Sequence, residues 1–183
     1  MNWNDRMKST SGELSDAQIA DLELKLGGKL KLPEDYRSFL RSCNGGVPVN
    51  TIVSVVEDGD ESQTGVTMFY GFTGRSESET EIGERPCLAV SYHRYCLSGH
   101  GPATTLPIAS DGGGNRFVIY CHGRRFGQIW FVTTEGRKFF QAPSFERFFD
   151  SLEFDDEAMD DEGPPPVFTT PWEEERDRAD GAG

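Results

Sequence analysis

Leu32-Pro33-Glu34-Asp35-Tyr36-Arg37-Ser38-Phe39-Leu40-Arg41-Ser42-Cys43-Asn44-Gly45-Gly46 is the most sharply punctuated segment of the chain. It carries its own start, face and stop. Pro33 has a preset φ and no N–H to lose, which suits the first position of a helix. Glu34 and Asp35 follow in the first turn, where the helix dipole favours negative charge. Tyr36, Phe39, Leu40 and Cys43 recur at i, i+3, i+4 and i+7, one face of a helix. Asn44-Gly45-Gly46 tolerates positive φ and ends it. The stretch reads as a short helix clamped into a core, with Tyr36, Phe39 and Leu40 buried rather than reactive.

Upstream, residues 1–12 are polar and read as a loose arm. Ser15 with Gln18 three residues on forms a capping box, and Leu14 with Ile19 a hydrophobic staple. Ile19, Leu22 and Leu26 make the stripe of a first helix, which Gly27-Gly28 stops. The short connector 29–32 forces the two helices against each other or against a shared sheet.

Downstream, Thr51 to Val56 is β-branched and reads as a strand. Glu57-Asp58-Gly59-Asp60-Glu61 reads as an acidic turn, and Gly65 to Phe72 as the returning strand of a long-tipped hairpin. Residues 73–86 form a polar loop carrying Glu77, Glu79, Glu81 and Glu84. Leu88, Tyr92, Tyr95 and Cys96 have helical spacing. Leu106 to Ala109, Arg116 to Cys121, Gln128 to Thr133 and Arg137 to Gln141 read as strands, the third of them central because it is apolar on both faces. Asp111-Gly112-Gly113-Gly114-Asn115 is a tight turn. It lacks the Lys-Ser/Thr of a phosphate-binding loop and precedes a strand rather than a helix. Pro143-Ser144 opens a closing helix with Phe145, Phe148, Phe149 and Leu152 on one face. Beyond it, residues 153–183 are an acidic, proline-containing segment that cannot build a core.

The 183 residues suit one domain with tails. Mean hydropathy is −0.55, and no apolar run approaches the length of a bilayer span. Met1 to Lys8 has no apolar segment of the secretory kind, so the reading is a soluble cytoplasmic chain. The four cysteines, Cys43, Cys87, Cys96 and Cys121, show no CxxC pair and read as free thiols.

The net charge of −13 is unevenly spread. Residues 57–84 carry −7 and residues 153–183 carry −10, while residues 85–152 carry +4. Such a chain repels nucleic acid as a whole and steers a basic partner toward itself.

The order of these pieces resembles the SUKH superfamily, which includes the fungal Smi/Knr regulators of cell-wall synthesis and many bacterial immunity proteins. The resemblance rests on Leu32 to Leu40 with Asn44-Gly45-Gly46, and on Leu106 to Ala109 followed by Asp111 to Asn115. Gly127 with Trp130 and Phe131, and Ser144-Phe145 with Phe148, complete it. It covers residues 13–152. It implies an α+β domain, a mixed and mostly antiparallel sheet flanked by N-terminal helices and a closing helix, with no enzymatic activity and no cofactor. Bacterial members resemble antidotes that bind and neutralise a cognate toxin, often a nuclease, in competition between cells. The long acidic tail and the Cys- and His-bearing stretch 87–100 depart from the family pattern.

Three rival chemistries have candidate residues in the chain. Cys87, His93, Cys96, His100, Cys121 and His122 are soft metal ligands, but they lack the paired spacing of a tetrahedral zinc site. A Cys, a His and an acid exist for nucleophilic catalysis, but no motif brings them together. Arg116, Arg124, Arg125, Arg137 and Lys138 form a basic patch beside Phe126, and the surrounding acidity argues against nucleic acid. What remains is a protein-binding domain that mimics the charge of a nuclease substrate. Its candidate contact residues are Glu57, Asp58, Asp60 and Glu61 at the hairpin tip with Glu77, Glu79, Glu81 and Glu84 in the loop. The partner is a cognate protein toxin, basic in charge, with no nucleic acid or membrane involved. The alternative is a regulatory scaffold of the fungal type. Nothing in the sequence specifies an oligomer.

Overall fold

The structure is a computed structural model that describes residues 2–28, 30–73, 87–99 and 101–155. Four helices are described: α1 (Asp16–Lys25), α2 (Glu34–Ser42), α3 (Leu88–Leu97) and α4 (Phe145–Asp150). The strands are β1 (Met7–Thr10), β2 (Gly46–Pro48), β3 (Ile52–Glu57), β4 (Asp60–Gly65), β5 (Met68–Phe69), β6 (Thr105–Ser110), β7 (Arg116–Tyr120), β8 (Ile129–Val132) and β9 (Lys138–Ala142). Seven of them form one sheet in the order β1-β2-β5-β6-β7-β8-β9, every neighbouring pair antiparallel. β3 and β4 form a separate antiparallel hairpin. The chain is therefore an α+β domain, as its sequence order implies.

Both N-terminal helices start as their sequences dictate. The Ser15 hydroxyl accepts from Gln18 N, and the Gln18 side-chain Oε1 accepts from Ser15 N at 2.9 Å, which completes the capping box. Pro33 sits one position earlier than expected, as the extended N-cap of α2. Asp35 then serves two helices. One carboxylate oxygen accepts from Tyr36 N at 2.9 Å, and the other accepts from Glu146 N at 3.1 Å in the first turn of α4. Glu23 of α1 is nearly buried. Its carboxylate accepts from Leu32 N at 3.0 Å and from the Arg37 guanidinium at 2.8 Å, which fixes α1, the connector and α2 to one another.

The period-two pattern of β7 and β8 separates two faces. Phe117, Ile119, Ile129 and Phe131 join the main core. That core also holds Ile19, Leu22, Tyr36, Phe39, Leu40, Phe145, Phe148 and Phe149 from α1, α2 and α4, with Val53 and Val55 from β3. On the opposite face, Val118 and Val132 pack with Tyr95 of α3 and with Trp130.

Two expectations are corrected. Residues 2–10 are part of the fold rather than a loose arm. Trp3 is 3% exposed and lies 5.7 Å from the Phe39 ring and 5.2 Å from the Phe149 ring, while β1 pairs with β2 at the sheet edge. The burial of one indole offsets the cost of ordering this polar segment. Second, the hairpin has no long tip. Asp60 to Gly65, expected as part of an acidic turn and a connector, is itself the return strand, and Met68–Phe69 belongs to the main sheet instead. β8 lies between β7 and β9, as expected for a strand apolar on both faces.

Candidate interaction surface

The acidic hairpin begins at a two-residue turn. Asp58 (φ 54°) and Gly59 (φ 100°) both lie in the left-handed region, which an Asp-Gly pair meets with little strain. The turn closes on Glu57 opposite Asp60, two like charges that repel across the strands. The Arg137 guanidinium answers this repulsion. It pairs with Asp58 and stands 3.8 Å from the Glu57 carboxylate. Arg137 also stacks over Phe139, 4.9 Å from the ring centroid. This arginine, placed by sequence reasoning in a basic patch, is in fact the counter-ion of the acidic tip.

The four described candidate acids thus divide. Glu57 and Asp58 are partly neutralised from within. Asp60 and Glu61 are exposed and have no ion-pair partner among the described residues. Residues directly opposite share a face of the hairpin, so Glu61 lies beside Val56, an apolar side chain 53% exposed. Glu77, Glu79, Glu81 and Glu84 lie outside the described residues, as do His100 and residues 156–183.

The base of the hairpin is anchored on both strands. Ile52 pairs with Glu153, just after α4. At the other strand, the Thr64 hydroxyl donates to Asp111 at 3.1 Å. Asp111 is 8% exposed and organises the glycine turn. Its carboxylate accepts from Gly113 N at 2.9 Å, Asn115 N at 2.8 Å and the Asn115 amide at 2.7 Å. The Asn115 side chain in turn accepts from Thr134 N at 3.0 Å, in the β8–β9 turn. The turn motif therefore pins the hairpin to two sheet connections. Asp111→Ala should cost about 2–3 kcal/mol, because it removes the charged acceptor of four part-buried hydrogen bonds at once. Urea unfolding checks this, with the midpoint falling at an unchanged slope.

Among the described residues, the metal-ligand and nucleophile candidates are not brought together. Burial pushes the Cys43 thiol up to about 11 and the Cys121 thiol up to about 12, the reverse of an activated nucleophile. His93 and His122 are exposed, and no group of three or more His, Cys, Asp or Glu is placed to hold a metal among the described residues. A cleft of about 120 Å³ between Asp5, Arg6, Val49, Asn50 and Phe149 is smaller than the ~300 Å³ at which ligand pockets begin. No described helix is long and apolar enough to cross a membrane.

A sequence profile of the SMI1/KNR4 family (SUKH-1) matches residues 13–151, well over half of the chain, and the chain belongs to that family. Membership makes it a protein-interaction domain of the immunity or regulator type. No curated protein matches the chain.

Proposed function

We propose that this SUKH-1 domain is a non-enzymatic, cytoplasmic immunity protein that neutralises a basic toxin, such as a nuclease, by stoichiometric binding. The observation that carries the reading is the acidic hairpin tip. It presents two carboxylates with no ion-pair partner among the described residues, Glu61 beside the exposed Val56 and Asp60 opposite Glu57, next to a turn clamped by Arg137. A rigid acidic projection matches a nuclease's cationic substrate site in charge and loses little conformational freedom on docking. The regulatory-scaffold reading shares the family but gives no role to an acidic tip of this kind.

The test is co-expression with the product of a neighbouring toxin gene; failure to rescue growth removes the immunity reading. For the purified pair, the double substitution Asp60→Lys with Glu61→Lys should lower the association rate by roughly 10–100-fold at low salt. The gap should narrow as salt screens the steering. Stopped-flow mixing at two ionic strengths measures both, and an unchanged rate excludes the tip as the contact. Asp58→Lys should act differently, because it also releases Arg137 and lowers stability.

A further inference from the structure

On the face of the sheet opposite the hairpin, three rings from three strands stand in a row. Tyr120 and Trp130 lie 6.0 Å apart, and Trp130 and Phe140 lie 5.8 Å apart, both pairs edge to face. α3 lies over this face along β6 and, through Tyr95, over Val118 and Val132. Phe140 is 49% exposed at the edge strand. Arg125, from the β7–β8 connection, lies over the row. Its guanidinium is 4.4 Å from the Trp130 centroid and 5.5 Å from that of Tyr120, and it donates to the Tyr120 hydroxyl at 3.2 Å. Arg124 is exposed beside it, and Lys138 shares the face with Phe140 two residues along β9.

We propose that this face is a second docking surface, and that it takes an acidic segment of a partner protein. Charge complementarity carries the choice of partner. The chain as a whole is at −13, yet Arg124, Arg125 and Lys138 have no carboxylate partner among the described residues. Arg6, Arg37, Arg41 and Arg137 are all paired with acids. Arg125 is already stacked and hydrogen-bonded, so its planar fork is ordered before a carboxylate arrives. Tyr, Trp and Arg together are the residues that dominate protein interfaces. A single-stranded nucleic acid fits less well. The Trp130 ring is capped by the guanidinium and is not open to a base, and a net −13 chain repels a polyanion. The surface is independent of the acidic tip. The hairpin packs into the core on the other side of the sheet, so both surfaces can be occupied together.

The experiment uses the full chain and a fluorescein-labelled peptide of repeated Glu-Glu-Tyr, read by fluorescence anisotropy at low salt. Saturable binding is expected, weakened at least tenfold by Arg125→Ala and by Phe140→Ala, and unchanged or strengthened by Asp60→Lys with Glu61→Lys. Lys138→Ala, at an exposed position, should weaken binding with no change in melting temperature, which separates lost contact from lost fold. Absence of saturable binding overturns the proposal, as does wild-type affinity in Arg125→Ala. Tighter binding of a labelled oligothymidylate than of the peptide also overturns it, in favour of a nucleic-acid surface.

Discussion

Phe39→Ala should destabilise the domain by about 3–5 kcal/mol, a large part of the ~5–15 kcal/mol that holds a typical domain folded. Phe39 is fully buried, and five other rings surround it: Trp3 at 5.7 Å, Tyr36 at 6.0 Å, Phe69 at 5.3 Å, Phe145 at 4.9 Å and Phe149 at 6.0 Å. These come from the N-terminal turn, α2, β5 and α4, so the phenyl ring joins helices to sheet. Truncation loses its transfer free energy and leaves a cavity that rigid neighbouring rings cannot close. Phe39→Leu refills most of the volume without the edge-to-face contacts, and should cost about 1–2 kcal/mol. Urea unfolding of the pair separates volume from ring geometry. If the leucine variant is as unstable as the alanine variant, the ring contacts carry most of the energy.

The chemistry of this core was legible from residue spacing. Tyr36, Phe39, Leu40 and Cys43 share a helical face because their recurrence matches 3.6 residues per turn, and all four are buried. The faces of β7 and β8 follow equally from their alternation. β4 was not legible for the opposite reason. Asp60-Glu61-Ser62-Gln63-Thr64-Gly65 holds no apolar residue, so it has no period to read. It is a strand because β3 and a left-handed Asp58-Gly59 turn place it there, and that dipeptide was the available signal. β1 escaped similarly. Its place depends on Trp3, four residues upstream of the strand, finding a pocket among the rings of Phe39, Phe145 and Phe149.

The candidate surface was half legible. Local acid density located the hairpin tip, but charge counted along the chain could not show which acids are answered. Arg137 lies 79 residues from Asp58 and was grouped with its sequence neighbours. Once it is assigned to the tip, the basic patch shrinks to the residues around Arg125, and the acidic surface shrinks to Asp60 and Glu61 among the described acids. The structure thus sharpens both surfaces by removing from each the charges that neutralise one another.

Gly46→Ala should damage the fold as severely as any core truncation, and by a different route. Gly46 has φ 122°, which L-residues rarely adopt, so a side chain is strained there before any contact is considered. An added Cβ would fall on the Ser9 carbonyl oxygen and 2.8 Å from Thr10 Cα, both backbone atoms of β1. Nothing flexible is available to give way. Gly45 is similarly confined, its Cβ 2.7 Å from the Phe69 and Tyr70 carbonyl oxygens. Asn44, itself at φ 45°, uses its side chain as a substitute strand, accepting from Phe72 N at 2.7 Å and donating to Phe72 O at 3.1 Å. The end of α2 is thus threaded between β1 and β5, which gives Asn-Gly-Gly its physical reason. Relief at Gly46 requires β1 to leave the sheet, and that uncovers Trp3 and Cys43. The expected result is a loss of at least about 3 kcal/mol. With it, amide exchange should accelerate first in residues 7–10, and Cys43 should become open to alkylation while Cys121 stays protected. Uniform exchange across the domain, with Cys43 and Cys121 labelled together, would show that β1 is not a separable edge and that the clash unfolds the domain as one unit.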